Sequence, residues 1–178
     1  MKSKRQNLAI IAEQVASTPF HDRLMGLPSN IGPLIEHFPD GPRDEFVGKW
    51  CAAFVYHCCL QAGFEIPHRY PKKAFGTFAG VRAWLQWAKL KENGFYLSAR
   101  HRSCSPERGD LVIYDGVFDP GPHDHIAIVL AVTDTAIRVA EGNVRGISAV
   151  LERARNRHLR GYIRIPDDYA YCPPSPST

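Results

Sequence analysis

Two hydrophobic periods divide the chain. From residue 3 to 17, Leu8, Ile11, Ala12 and Val15 recur every three or four positions, the stripe of an amphipathic helix, which Pro19 in "STPF" ends. Residues 27–42 are rich in Gly and Pro and predict an irregular loop. A second helix is predicted over 50–62, in "WCAAFVYHCCLQA", with Gly63 at its C-terminal cap. Residues 67–78 read as loop. A third helix runs over 78–91, where Val81, Trp84, Leu85 and Ala88 share a face and Gly94 lies beyond the end.

The period then shortens to that of strands. "GDLVIYD" (109–115), "HIAIVLAVTD" (125–134), "AIRVAEGN" (136–143), "ISAVLERA" (147–154) and "GYIRIP" (161–166) are predicted strands, the last stopped by Pro166. Helices followed by strands predict an α+β fold with a largely antiparallel sheet. Positions 126–132 are all apolar, so that strand should be central and buried on both faces. Ile126, Ile128, Leu130 and Val132 form one face. Ala127, Val129 and Ala131 form the other, whose parity His125 shares. The small residues leave room for a helix, so a helix is expected against the His125 face.

The boundaries predicted are a helical and Gly/Pro-rich lead-in over 1–43, a core over 44–168 and a disordered tail over 169–178, one domain overall. A length of 178 residues, 44% apolar and 22% charged, is ordinary for a globular domain. The net charge of +4 is spread along the chain apart from "MKSKR" and "RARNRHLR", which read as solvated surface, so no nucleic-acid partner is expected. No run has the length of a membrane span, and "NLAIIAEQVAS" is broken by Glu13 and Gln14, unlike a signal peptide. Synthesis in the cytoplasm without a signal peptide is therefore expected, with any export left to a dedicated secretion system or to lysis. Five cysteines, an odd number without paired C-x-x-C spacing, indicate neither a disulfide framework nor a zinc site.

Three of those cysteines fall in the second helix. Cys51 stands at its start, where unpaired N–H groups and the helix dipole favour a thiolate. Cys58 and Cys59 lie inside it and read as small core residues. If this helix is the one over the His125 face, thiol and imidazole meet, the pair that nucleophilic catalysis needs.

"WCAAFV", "PERGDLVIYD", "HIAIV" and "EGN", in that order, resemble the CHAP family of cysteine, histidine-dependent amidohydrolases and peptidases, over roughly residues 44–166. The resemblance implies a papain-like core, with Cys51 as nucleophile, His125 as base and Glu141 as the group that orients the histidine, with Asn143 nearby. Glu141 and Asn143 share strand parity, so either can face the site, while Gly142 between them allows a bulge that turns one away. Where the family commonly has Gly before the histidine, this chain has Asp124. The implied chemistry is acyl transfer with no cofactor and no metal: Cys51 attacks an amide carbonyl, His125 moves the proton, and the Cys51 backbone N–H helps hold the oxyanion.

The family makes peptidoglycan, or a peptide, the expected substrate, with an immunity or inhibitor protein as a further expected partner. A cytoplasmic amidase acting on a small amide would use the same residues. A zinc hydrolase is a third alternative, because His123 and His125 alternate in "HDH" and could place two ligands on one face.

Overall fold

A computed structural model describes residues 2–22, 26–39, 46–70, 76–101, 104–118 and 120–171. Among them are four helices, α1 (Lys4–Ser17), α2 (Gly32–Ile35), α3 (Cys51–Gln61) and α4 (Val81–Ala88). Six strands follow: β1 (Tyr96–Ser98), β2 (Leu111–Tyr114), β3 (His125–Val132), β4 (Ala136–Val144), β5 (Ile147–Ala154) and β6 (Leu159–Ile163). The strands form one antiparallel sheet in the order β1-β6-β2-β3-β4-β5, so the fold is α+β.

Local chemistry sets the helix ends. Ser3 and Gln6 cap α1 reciprocally, the Ser3 hydroxyl accepting from the Gln6 N–H and the Gln6 side chain from the Ser3 N–H. α3 closes on Gly63, whose φ of +88° lets its N–H reach the Leu60 carbonyl while Phe64 N–H reaches Cys59. The face that α1 buries is Leu8, Ala9, Ala12 and Ala16, with Ile11 and Val15 only half-buried, a rotation from the predicted stripe that puts small residues where α1 meets its neighbours.

Several expectations need correction. The loop predicted over 27–42 contains α2, which Pro33 starts by supplying a preset φ in the first turn. Strand β1 was not predicted; it is three half-buried residues at the sheet edge, too short for a periodic signal. The chain at 169–171 is packed, not disordered: Tyr169 lies edge-on to Trp87 and Phe95 with ring centroids 5.5 and 5.6 Å away, and Ala170 bridges to Glu65. The rest of the predicted tail, 172–178, lies outside the described residues.

β3 is central, between β2 and β4, as its unbroken apolar run requires, although its last two residues, Ala131 and Val132, emerge from the core. Its faces are used the other way round from the prediction. The helices pack on the Ile126, Ile128 and Leu130 face, in one cluster with Leu8, Phe54, Trp84 and Ala140. Ala127 and Val129 join Val112, Tyr114, Ile137, Val139 and Tyr162 in a second cluster on the opposite face. The small residue that lets a helix approach is on the neighbouring strand. A Cβ added to Gly142 of β4 would lie 2.5 Å from Phe54 Cβ and 3.0 Å from Trp50 Cε3, so this glycine seats the start of α3 on the sheet.

Candidate active site

α3 begins where the sheet ends, and its lead-in is held from both sides. Gly48, at φ +70°, donates its N–H to Asp22 Oδ2 at 2.7 Å. Its carbonyl accepts from Asn143 Nδ2 at 2.6 Å. Asp22 comes from a segment that runs beside the β4–β5 turn, through the His21–Ile147 bridge and the Asp22 N–H to Gly146 carbonyl bond. Three residues after Gly48 comes Cys51, buried but lining a cleft.

His125, the first residue of β3, lines the same cleft at 1% exposure. Its Nε2 lies 2.8 Å from Oε2 of the fully buried Glu141 on β4. With Nε2 taken, Nδ1 is the nitrogen left for the Cys51 thiol. Burial works against a charge on His125, yet the hydrogen bonds to Cys51 and Glu141 outweigh it and raise its pKa to about 9. Cys51 and His125 thus meet at the end of a strand, each at the first position of its element, and not through the sheet face.

Of the two polar groups on β4, Glu141 reaches His125 and Asn143 does not. The sheet register shifts between Glu141 and Val144, and Asn143 takes a φ of +63°, a left-handed conformation that asparagine tolerates better than most residues. The bulge points Asn143 at the Gly48 carbonyl instead of the imidazole.

Arg153 on β5 completes the row and was read from the sequence as solvated surface. Its Nε donates to Glu141 Oε1 at 2.8 Å and its Nη2 to Oε2 at 2.6 Å, a two-pronged clamp. Burial pushes the Glu141 carboxyl up, but the bonds from Arg153 and His125 bring it below its ordinary value. The guanidinium also lies over the Tyr114 and Phe118 rings, 5.9 and 5.4 Å from their centroids. In the same basic run, Arg160 pairs with Asp115 at 2.9 Å, so that surface too is partly engaged. The signal that could have found Arg153 is the buried carboxylate itself, which needs a cation besides a titrating histidine.

Asp124, the residue before the histidine, accepts the N–H groups of Val117 and Phe118 at 2.9 and 2.7 Å. It therefore shapes the loop that places Phe118 edge-on to the His125 ring, with centroids 4.7 Å apart. His123 stands in that loop at φ +43°, and among the described residues no group of three or more His, Cys, Asp or Glu is placed to hold a metal ion. Cys58 and Cys59 are fully buried, and burial raises the pKa of both thiols; Cys104 is partly exposed, and Cys172 lies outside the described residues. No helix among the described residues is long and apolar enough to cross a membrane.

The cleft encloses about 890 Å³ and opens over Cys51 and His125. A helix-start cysteine, a strand-start histidine and a buried carboxylate behind it are the parts of a papain-like cysteine hydrolase. The family comparison agrees: a sequence model of the CHAP domain matches residues 43–143, more than half of the chain, and the chain belongs to that family of cysteine/histidine-dependent amidohydrolases and peptidases. No curated protein and no solved structure matches it. The matched segment ends at Asn143, so α1, β5 with Arg153, and β6 lie outside it.

Proposed function

We propose that the protein hydrolyses an amide bond of peptidoglycan, in the stem peptide, its cross-link or its junction with the glycan, through an acyl-enzyme on Cys51. The observation that carries the chemistry is His125, bonded to the Cys51 thiol and, through Nε2, to Glu141. In this arrangement the Cys51 sulfur attacks the carbonyl carbon, and the C–N bond breaks as His125 delivers its proton to the leaving amine. A water, deprotonated by the now neutral imidazole, attacks the thioester and releases the acid and the free thiol. Glu141 holds the ring in place and stabilises the imidazolium, and Arg153 keeps Glu141 ionised. Asn143 and Asp22 act one step back, fixing the Gly48 turn from which α3 and its first N–H groups start. The Cys51 N–H is the expected oxyanion donor.

Peptidoglycan is favoured as the substrate by the family, and the cleft of about 890 Å³ over the thiol is compatible with a peptide. The test is mass spectrometry of purified wall after incubation with the protein. New fragments that carry a freed amine and a carboxylate, absent with Cys51→Ala, support the reading. An undigested wall beside turnover of small amides would instead favour a small-amide hydrolase.

A further inference from the structure

The hairpin between β4 and β5 turns on two residues, Arg145 and Gly146, whose φ values are +54° and +85°. Two consecutive positive φ values are the mark of a type I′ turn, in which the first position suits Asn, Asp or Gly. An arginine there is conformationally unfavourable, and among the described residues no carboxylate or carbonyl engages its guanidinium. The side chain is exposed and lines the cleft over Cys51 and His125.

Arg145 is not isolated. Lys49 and Arg82, also exposed and without an ion-pair partner among the described residues, line the same cleft. Lys49 lies two residues before Cys51, and Arg82 lies at the start of α4, so cations stand on separate elements around the opening. Among the described residues the only carboxylate lining it is Asp124, which holds the Val117 and Phe118 N–H groups. His123 stands in the same wall. Burial lowers its pKa first and the Arg160 charge lowers it further; Asp115 opposes them, and Arg82 and Lys89 add smaller lowering effects.

We propose that Arg145, Arg82 and Lys49 form an anion-reading rim that selects acidic peptides, those with free carboxylates flanking the scissile amide. The proposal rests on the amide-hydrolase reading of the site and adds what that site prefers to bind. Solvent-exposed cations give modest affinity individually, but three around one opening favour an acidic chain over its neutral counterpart and orient it across the thiol. Arg145 is the member whose backbone conformation is hardest to explain without a ligand.

Binding to the inactive Cys51→Ala protein tests the rim without needing turnover. The probes are a synthetic wall tetrapeptide, L-Ala–γ-D-Glu–L-Lys–D-Ala, with its Lys amine acetylated and its two carboxylates free, and the same peptide with both carboxylates amidated, each carrying a neutral dye on its N-terminal amine and read by fluorescence anisotropy. The free acid should bind about tenfold tighter at low ionic strength, with the gap closing as salt rises. Adding Arg145→Asn, which supplies a residue the turn prefers, should shrink the gap to about threefold or less while leaving the melting temperature equal or higher. Equal binding of the two peptides, binding of neither, or a gap untouched by Arg145→Asn would overturn the rim. Wall digestion by the unmodified protein is scored separately: digestion without acid preference removes the rim alone, whereas an acid preference without digestion removes the hydrolase reading alone.

Discussion

Nε2 of His125 and Oε2 of Glu141 are 2.8 Å apart, and both side chains are sealed from solvent. A buried carboxylate in that position fixes which imidazole nitrogen faces the thiol and favours the protonated ring. His125 is raised from an ordinary value of 6.5 to about 9, so its contribution to stability is complete below pH 6.5 and is lost as pH rises through about 9. Glu141 is lowered from 4.5, so its contribution is present above pH 4.5 and lost as pH falls through its depressed value. The kcat/KM profile should therefore be flat across neutral pH and fall above about 9 as the imidazolium is lost. Glu141→Gln removes one of the influences that raise His125, so the alkaline limb should move to lower pH and kcat should drop roughly 10²- to 10⁴-fold. Steady-state kinetics across pH on one amide substrate checks both, and an unmoved limb in Glu141→Gln would detach Glu141 from the base.

Arg153→Met should raise the Glu141 pKa, because the largest favourable influence on that carboxylate is the Arg153 bond. The acid limb of the profile should shift to higher pH, with stability reduced by about 2 kcal/mol. Arg153→Lys should restore part of the shift but not all of it, since an ammonium cannot reproduce the two-pronged contact. A lower melting temperature with no change in the acid limb would make Arg153 a structural residue only.

Gly142→Ala places a methyl 2.5 Å from Phe54 Cβ, between α3 and β4. Neither neighbour is the tip of a flexible chain, so the elements must part, at a cost of about 1–3 kcal/mol. The same movement separates the element that carries Cys51 from the strand that carries Glu141. Thermal unfolding and kcat should fall together; an unchanged melting temperature would mean that the close approach is not needed.

Iodoacetamide at neutral pH should label Cys51 before Cys58 and Cys59. Cys51 lines an open cleft beside a basic imidazole, while the other two are fully buried and held as thiols by that burial. Peptide mapping after brief exposure reads the order. Labelling of Cys58 or Cys59 at the rate of Cys51 in the folded protein would contradict it.

Periodicity made the α+β class, α3 and the central position of β3 legible, because each is a run of residues whose spacing has one cheap burial solution. It does not give the faces of β3, because small residues on a strand predict a helix contact there, whereas the contact depends on Gly142 of the next strand. Position at the starts of a helix and a strand made Cys51 and His125 candidates, and the ordered motifs that resemble the CHAP family made them the expected pair. Strand parity treats Glu141 and Asn143 alike, so only the chemistry of a carboxylate favours Glu141 in the sequence, and the bulge at Asn143 is what separates them in space. Arg153 and Asp22 were invisible for a different reason. Their partners are distant in sequence, and an arginine in a basic run or an aspartate in a loop looks like solvated surface until the buried group that it serves is known. The "GDLV" segment carries a second lesson: Asp110 is fully buried and paired with Arg164 at 2.8 Å, so that part of the motif holds the fold and does no chemistry.

The acyl-enzyme is the central claim and can be weighed directly. A wall peptide is mixed with the protein, quenched in acid within the first turnovers and examined by intact-protein mass spectrometry, with the modified residue then mapped. The account predicts an added mass equal to the acyl half of the substrate, located on Cys51 and absent from Cys51→Ala, which should also show no turnover. Turnover with the adduct on another residue, or hydrolysis that persists in Cys51→Ala, would contradict it.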